Sequence, residues 1–336
     1  MRKPKVLVAS RLPGETQKLL AETCELSVNE GEAYTIEQLY ANARDKDAIV
    51  SVLVNKIDKQ FFDNCPAIKV VANVAVGYDN IDMDEAQKRG VLVCNTPGVL
   101  TDSTADLAFA LMLSAARKTP SAEQYLRDGQ WHRFALDLLL GVDVHHKTLG
   151  IIGMGRIGQA FAARARGFSM EILYSQRSRV AEEIEEGLQA TFVSLEELLE
   201  RSDFVSVHCP LNDATRHLID REKLSQMKKS AIIINTARGA VIDEPALAEA
   251  LANGVIAGAG LDVFENEPRV NSQLLDLKNV VLLPHIGSAT IETRTAMGRL
   301  AVEAVGSAFQ GKMPANTVNK DCWERFLALR EDSIGR

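Results

Sequence analysis

Three segments in the second half of the sequence place chemically active side chains just beyond apolar runs. Ile232-Ile233-Ile234-Asn235-Thr236-Ala237-Arg238-Gly239 ends in an arginine, and Gly258-Ala259-Gly260-Leu261-Asp262-Val263-Phe264-Glu265-Asn266-Glu267-Pro268 carries two carboxylates of interest. Val280-Val281-Leu282-Leu283-Pro284-His285-Ile286-Gly287-Ser288 ends around a histidine. A cation that grips a carboxylate and polarises a carbonyl, with an acid able to protonate a nascent alkoxide, is what hydride transfer to a 2-keto acid requires. Arg238 and His285 supply those two functions. Glu267 is the candidate to orient the imidazole and stabilise an imidazolium. Taken singly, each residue also has a plain structural use: a hydrogen-bonded histidine, an arginine in a surface ion pair, a glutamate in an acidic loop. Their shared position behind a nucleotide motif favours the catalytic reading.

That motif is Leu149-Gly150-Ile151-Ile152-Gly153-Met154-Gly155-Arg156-Ile157-Gly158, a GxGxxG set between an apolar strand and a helical pattern over Gln159 to Arg166. Gly153 permits the tight turn, Gly155 admits a pyrophosphate to the backbone, and Gly158 lets helix and strand pack closely, while the helix start offers amide donors. About twenty residues on, NAD enzymes carry an acid for the ribose 2′-hydroxyl. This chain has Ser175-Gln176-Arg177-Ser178-Arg179 after its strand Glu171 to Tyr174. Ser175, Arg177 and Arg179 can bond and neutralise a 2′-phosphate that a carboxylate would repel. NADP(H) is therefore the preferred cofactor, with NAD(H) as second choice. Arg156, Ile157, Cys209, Pro210 and Thr104 complete the residues expected at the nucleotide.

Elements must hold these groups in place. Short apolar runs alternate with longer helical patterns throughout, the signature of βαβ units and parallel sheets, so the fold class is α/β. Candidate strands in the first hundred residues are Lys5 to Ala9, Ala48 to Leu53, Lys69 to Val71 and Val91 to Cys94, with a helix over Thr35 to Arg44. Thr101 to Lys118 reads as one long helix, its apolar run Leu107 to Leu113 buried between domains or at a dimer. A polar connector with Gly129, Trp131, His132 and Gly141 leads to a second αβ series from Thr148 to about residue 288. A last helix, roughly Thr290 to Phe309, has no packing partner that its pattern identifies.

The 336 residues, 46% hydrophobic, suffice for two domains with cores of their own. A net charge of -7 argues against nucleic acid or an acidic membrane as partner. The five scattered cysteines, with no CxxC, read as free thiols in a reducing compartment. With no eighteen-residue apolar stretch and no apolar core in the opening residues, the expected location is the cytoplasm. His145 and His146 are not expected to bind metal, since neighbours on an extended chain point to opposite sides and no third ligand is in view.

These segments, with Val74-Ala75-Val76-Gly77-Tyr78-Asp79-Asn80 and Asp143-Val144-His145-His146-Lys147-Thr148-Leu149-Gly150, resemble the D-isomer-specific 2-hydroxyacid dehydrogenases. The likeness runs over essentially the entire chain and is closest to the bacterial glyoxylate/hydroxypyruvate reductases, which also reduce 2-ketogluconate. The resemblance implies His285 as acid/base, Glu267 as its partner, Arg238 as substrate anchor, and Val76 and Gly77 amides as receivers of the substrate carboxylate. It also implies that Asp262 holds the nicotinamide carboxamide and that Thr236 and Ala237 line the ring.

Two Rossmann-like doubly wound domains follow from it: residues 1–100 plus 289–336 as a discontinuous, flavodoxin-like substrate domain, and 101–288 as the nucleotide domain, closing about hinges near Thr101 and Ser288. It further implies a homodimer acting on a small 2-keto or 2-hydroxy acid, with Trp131 and His132 expected to shape selectivity near the partner subunit's site. Val54, Asn55 and Val76 are the positions expected to select the acid's side chain. The same scaffold hosts formate dehydrogenases and a dinucleotide-sensing corepressor, and other dehydrogenases acting on D-lactate or 3-phosphoglycerate. Formate dehydrogenases place glutamine beside the histidine, so Glu267 speaks for a hydroxy acid.

Overall fold

The computed structural model describes residues 2–334. It divides into two compact units, Met1–Leu100 with Ser288–Arg336, and Thr101–Gly287. In the first, strands β1 (Lys5–Val8), β2 (Glu25–Val28), β3 (Ala48–Ser51), β4 (Val70–Asn73) and β5 (Leu92–Cys94) form a parallel sheet in the order β2-β1-β3-β4-β5. A strand alternates its side chains between the two sheet faces, and here both faces are covered. Val6, Val8, Ala48, Val50, Val70, Ala72, Leu92 and Cys94 enter one cluster, while Leu7, Ile49, Val71 and Val93 enter the other. Burial on both sides explains why these strands read as apolar runs rather than as alternating patterns.

The helix Ile291–Phe309 returns to the first of those clusters through Ala301, Val302, Ala304, Val305, Ala308 and Phe309. That packing is what makes the unit discontinuous in sequence. β2 has no counterpart among the strands expected from the sequence. It is a four-residue edge strand with no fully buried residue, so its pattern is weak.

In the second unit β6 (Thr148–Ile152), β7 (Glu171–Ser175), β8 (Ala190–Phe192), β9 (Phe204–Val207), β10 (Ile232–Asn235), β11 (Gly258–Leu261) and β12 (Val280–Leu282) form a parallel sheet ordered β12-β11-β10-β9-β6-β7-β8. Strand order reverses between β6 and β9, and the glycine motif follows β6. Open α/β sheets bind ligands at such a switch point.

The helix Thr101–Arg117 buries Ala105, Ala108, Phe109, Leu111, Met112 and Ala116 in the core of its own unit, against Phe161 and Ile234. The connector after it contains a helix, Thr119–Arg127, that buries none of its residues, followed by strongly exposed Trp131, Phe134, Leu136 and Leu140. Among the described residues no helix is long and apolar enough to cross a membrane.

Candidate active site

Three strand ends of the second unit converge on one corner. After β10 the chain turns at once, because the Asn235 side chain accepts from Ala237 N at 3.0 Å and donates to Arg238 O at 2.9 Å. This places Arg238 at the turn, its Nη1 donating to Ala237 O at 2.8 Å. Gly239 follows, where a Cβ would lie 1.9 Å from the carbonyl carbon of Phe264. Only a residue without a side chain lets this turn press on the segment that carries Glu267.

That segment leaves β11 through Asp262, which is 1% exposed. The Asp262 carbonyl accepts from His285 N at 2.8 Å, and its carboxylate oxygens accept from Ile286 N at 2.7 Å and Gly287 N at 2.8 Å. Burial raises the Asp262 carboxyl above its ordinary range, against the pull of these amides and of His285. The same bonds hold His285 at φ 52°, a left-handed conformation that costs a non-glycine residue on the order of 1 kcal/mol. Gly287 lies against the Asp262 carboxylate and Thr104, which would be 3.2 and 3.4 Å from a Cβ placed there.

His285 Nδ1 meets Glu267 Oε2 at 2.7 Å, and the other Glu267 oxygen accepts from Phe264 N at 3.0 Å. Burial pushes the Glu267 carboxyl up, but the hydrogen bond and charge of His285, the Phe264 amide and the charge of Arg238 together hold it below the usual carboxylate range. With Nδ1 committed to the carboxylate, Nε2 is the nitrogen left for chemistry. The loop bearing Glu267 is itself clamped. Glu244, 7% exposed, accepts from Glu265 N at 2.9 Å and from Asn271 N at 3.2 Å, and Glu265 Oε1 meets His217 Nε2 at 2.8 Å. Neither Glu244 nor Asn235 stood out in the sequence. Asp243-Glu244-Pro245 signals a helix start, and the structure has one there, with Asp243 capping Ala246 N at 3.0 Å.

The glycine motif behaves as a phosphate cradle should. Gly153 has φ 98°, and a Cβ there would come within 2.7 Å of Cys209 N. A Cβ on Gly158 would lie 2.2 Å from Gly153 O, whereas one on Gly155 would meet nothing within 4 Å. The tight turn, the close helix packing and an open approach over Gly155 thus fall to the three glycines in that order. Arg156 and Ile157 open the helix Arg156–Arg166. His208 and Cys209 follow β9 beside Gly153. Burial drives the His208 imidazole down to about 3 and the Cys209 thiol up to about 11, so both stay neutral near pH 7. Pro210 O accepts from Thr215 Oγ1 at 2.6 Å. Thr236 is 8% exposed and its hydroxyl finds no partner among the described residues, an orphan that a bound carboxamide or ring substituent would relieve. These features fit a dinucleotide.

At the far end of β7, Ser175 O accepts from Gly153 N at 2.9 Å. Arg177 is exposed, but Arg179 is engaged, its Nη2 2.6 Å from Glu185 Oε2. Val76 and Gly77 lie in the first unit, in the turn after β4. Asn95 Nδ2 donates to Val76 O at 2.8 Å and Asn73 Nδ2 to Gly77 O at 3.0 Å, while the two N–H groups make no hydrogen bond among the described residues. His145 and His146 do not point apart as expected. His146 has φ 59°, which turns its ring onto its neighbour with Nδ1 to Nδ1 at 2.8 Å. Among the described residues no three His, Cys, Asp or Glu side chains gather as metal ligands.

Comparison with known proteins agrees with this geometry. Residues 109–287 match the family described as D-isomer specific 2-hydroxyacid dehydrogenase, NAD binding domain. The chain is 48% identical over 324 residues to a glyoxylate reductase of Thermococcus litoralis, covering 95% of this chain and 98% of the relative. Among solved structures, a glyoxylate reductase from Paecilomyes thermophila superposes with TM-score 0.85 at 36% identity, covering 96% of this chain and 100% of that one. An NADPH-dependent glyoxylate/hydroxypyruvate reductase from Sinorhizobium meliloti, in complex with NADP and malonate, gives TM-score 0.85 at 37% identity, covering 95% and 97%. The chain belongs to the D-isomer-specific 2-hydroxyacid dehydrogenase family and is a nicotinamide-dinucleotide-dependent oxidoreductase.

Proposed function

We propose that this enzyme reduces small 2-keto acids, namely glyoxylate, hydroxypyruvate and 2-keto-D-gluconate, to D-2-hydroxy acids, with NADPH as the preferred cofactor and His285 as the proton donor. The observation that carries the reading is the His285–Glu267 pair, 2.7 Å apart on a left-handed corner held by Asp262. The bound nicotinamide supplies the hydride. Glu267 stabilises the imidazolium and directs Nε2–H toward the carbonyl oxygen, so that the oxygen is protonated as negative charge builds on it. Arg238 holds the substrate carboxylate and polarises the carbonyl, while the N–H groups of Val76 and Gly77 are left open to donate to a carboxylate in their own unit. Reduction consumes the proton that His285 carries, and oxidation of the hydroxy acid returns one to it.

Gly153, Gly155, Gly158 and the amides of Arg156 and Ile157 would hold the pyrophosphate, with Thr104, Cys209, Pro210, Thr236, Ala237 and Asp262 along the rest of the nucleotide. The residues 1–100 with 289–336 would serve as the substrate domain. Preference for NADPH is supported by the missing acid after Tyr174 and by exposed Arg177. Four large apolar side chains exposed within ten residues, Trp131, Phe134, Leu136 and Leu140, support a homodimer. We place the enzyme in the cytoplasm.

Initial rates of NADPH and NADH consumption with glyoxylate, hydroxypyruvate, 2-ketogluconate, pyruvate and phenylpyruvate test the proposal. Fast NADPH-linked turnover of one of the first three supports it. Nucleotide binding without turnover of any of the five would count against it.

A further inference from the structure

A cluster beside the nucleotide motif has no part in the chemistry above. Tyr174 in β7 is fully buried and its hydroxyl donates to Glu185 Oε1. Glu185 belongs to the helix Glu182–Leu188 and is only 5% exposed. Arg179 lies across it, Nε at 2.8 and 2.9 Å from the two carboxylate oxygens and Nη2 at 2.6 Å from Oε2. Val180 N donates to the Tyr174 hydroxyl at 3.1 Å. One end of the 176–180 turn is thus tied to β7 and to the following helix. The other end is tied to the phosphate loop, where Gln176 Oε1 accepts from Met154 N at 2.9 Å and Gln176 Nε2 donates to Ser178 O at 2.6 Å. Arg177 sits between the two ties, exposed and in no ion pair among the described residues.

A carboxylate buried at a helix start is costly unless a cation and hydrogen bonds meet it, and an ion pair so formed does more to define geometry than to add stability. Here the Arg179 hydrogen bond, followed by that of Tyr174, holds Glu185 below the ordinary carboxylate range. The Arg179–Glu185 pair is then electrically neutral, and its cation offers a passing phosphate little net attraction. Arg177 is left as the uncompensated charge of the turn.

We propose that Glu185, with Tyr174 and Arg179, forms a positioning cluster that sets cofactor preference by holding Arg177 ready for the adenosine 2′-phosphate. Arg179 thereby becomes a pin of the turn rather than a phosphate ligand. The inference rests on the NADPH reading above and names residues that act through Arg177 without touching the phosphate themselves. Ordering the turn beforehand spares the entropy otherwise lost on binding, and only for a ligand that uses the turn.

The test is calorimetric titration of the whole protein with adenosine 2′,5′-bisphosphate and with 5′-AMP, probes that differ by the 2′-phosphate alone. Wild type binds the bisphosphate more tightly. Glu185→Gln and the near-isosteric Tyr174→Phe each weaken bisphosphate binding about tenfold, the penalty of ordering a residue or so of backbone, and leave 5′-AMP unchanged. Arg179→Lys, which keeps the charge but loses the fork, behaves as Glu185→Gln does. If Arg179 were itself the phosphate ligand, Glu185→Gln would release it, so unchanged or tighter bisphosphate binding overturns the inference. Equal losses on both probes also overturn it, as they would signal only a damaged fold. Equal affinity of the wild type for both probes, or an Arg177→Ala variant that keeps the wild-type ratio, instead removes the NADPH reading beneath it.

Discussion

Replacing Gly155 by alanine separates folding from nucleotide binding. The backbone at Gly155 has φ -75° and ψ -168°, an extended conformation open to any residue, and a Cβ there meets no protein atom within 4 Å. Gly155 is the N-cap of the helix Arg156–Arg166, and alanine is a poorer cap than glycine by about 0.5–1 kcal/mol. For a protein of this size that loss lowers Tm by only about 1 °C. On the proposed cradle the new methyl group would occupy the approach of the pyrophosphate and hold it off the amides behind it. Losing one charge-assisted hydrogen bond removes about 1.5–3 kcal/mol, which raises Kd for NADPH and NADH alike by about ten- to a hundredfold. Gly158→Ala is the contrast, since its Cβ would sit 2.2 Å from Gly153 O and must displace backbone. Overpacking of that kind costs about 1–3 kcal/mol or more. Thermal scanning without ligand and calorimetry with each dinucleotide read both quantities. A Gly155→Ala protein that binds as wild type, or one that melts as early as Gly158→Ala, would refute the assignment of the cradle.

Other perturbations test the catalytic corner. His285→Ala is expected to lower kcat by about 10²–10⁴, the usual contribution of general acid catalysis, with dinucleotide affinity unchanged by calorimetry; wild-type turnover would remove the mechanism. Glu244→Ala takes away the acceptor of Glu265 N and Asn271 N, each bond to a charged group contributing about 1.5–3 kcal/mol, so Tm and kcat should both fall while nucleotide affinity holds. An unaltered melting curve would show the clamp to be idle. Glu267 has a carboxyl depressed in the folded state, so its stabilisation is fully present above the unfolded value of about 4.3 and is lost as pH falls through the lower folded value. Glu267→Gln should therefore narrow its stability gap from wild type only on the acid side of about pH 4, and a gap that instead narrowed above pH 6 would contradict the pairing.

Much of this site was readable because its parts recur at fixed places in a sheet. Apolar strands covered on both faces show up as runs, and the glycines, Arg238, Glu267 and His285 stand just beyond such runs. What a run does not show is where a distant helix docks. Ile291–Phe309 looks like any amphipathic helix until Val302 and Val305 are seen against Val6 and Val50 in the first sheet. Backbone exceptions were hidden too. The left-handed conformations of His285 and His146 occur in residues with no evident need for them, and the second one defeats the simple expectation that adjacent histidines diverge.

Hydrogen-bonded carboxylates show most clearly why residue type alone stops short of role. Glu267, Glu185 and Glu244 are each drawn inward and hydrogen-bonded, yet their partners lie at sequence separations of 18 for His285, 6 for Arg179, and 21 and 27 for Glu265 and Asn271. The partner decides the job. An imidazole can both give and take a proton, so on the proposed mechanism the Glu267 pair can pass one during turnover. Arginine and tyrosine lose theirs only at about pH 10 or above, so Glu185 makes a fixed brace. Backbone amides do not titrate at all, and Glu244 can only shape a loop. Each therefore has its own readout: Glu267 in a pH–rate profile, Glu185 in the affinity ratio of two nucleotides, Glu244 in the melting curve. A variant that moved the wrong readout would reassign its residue.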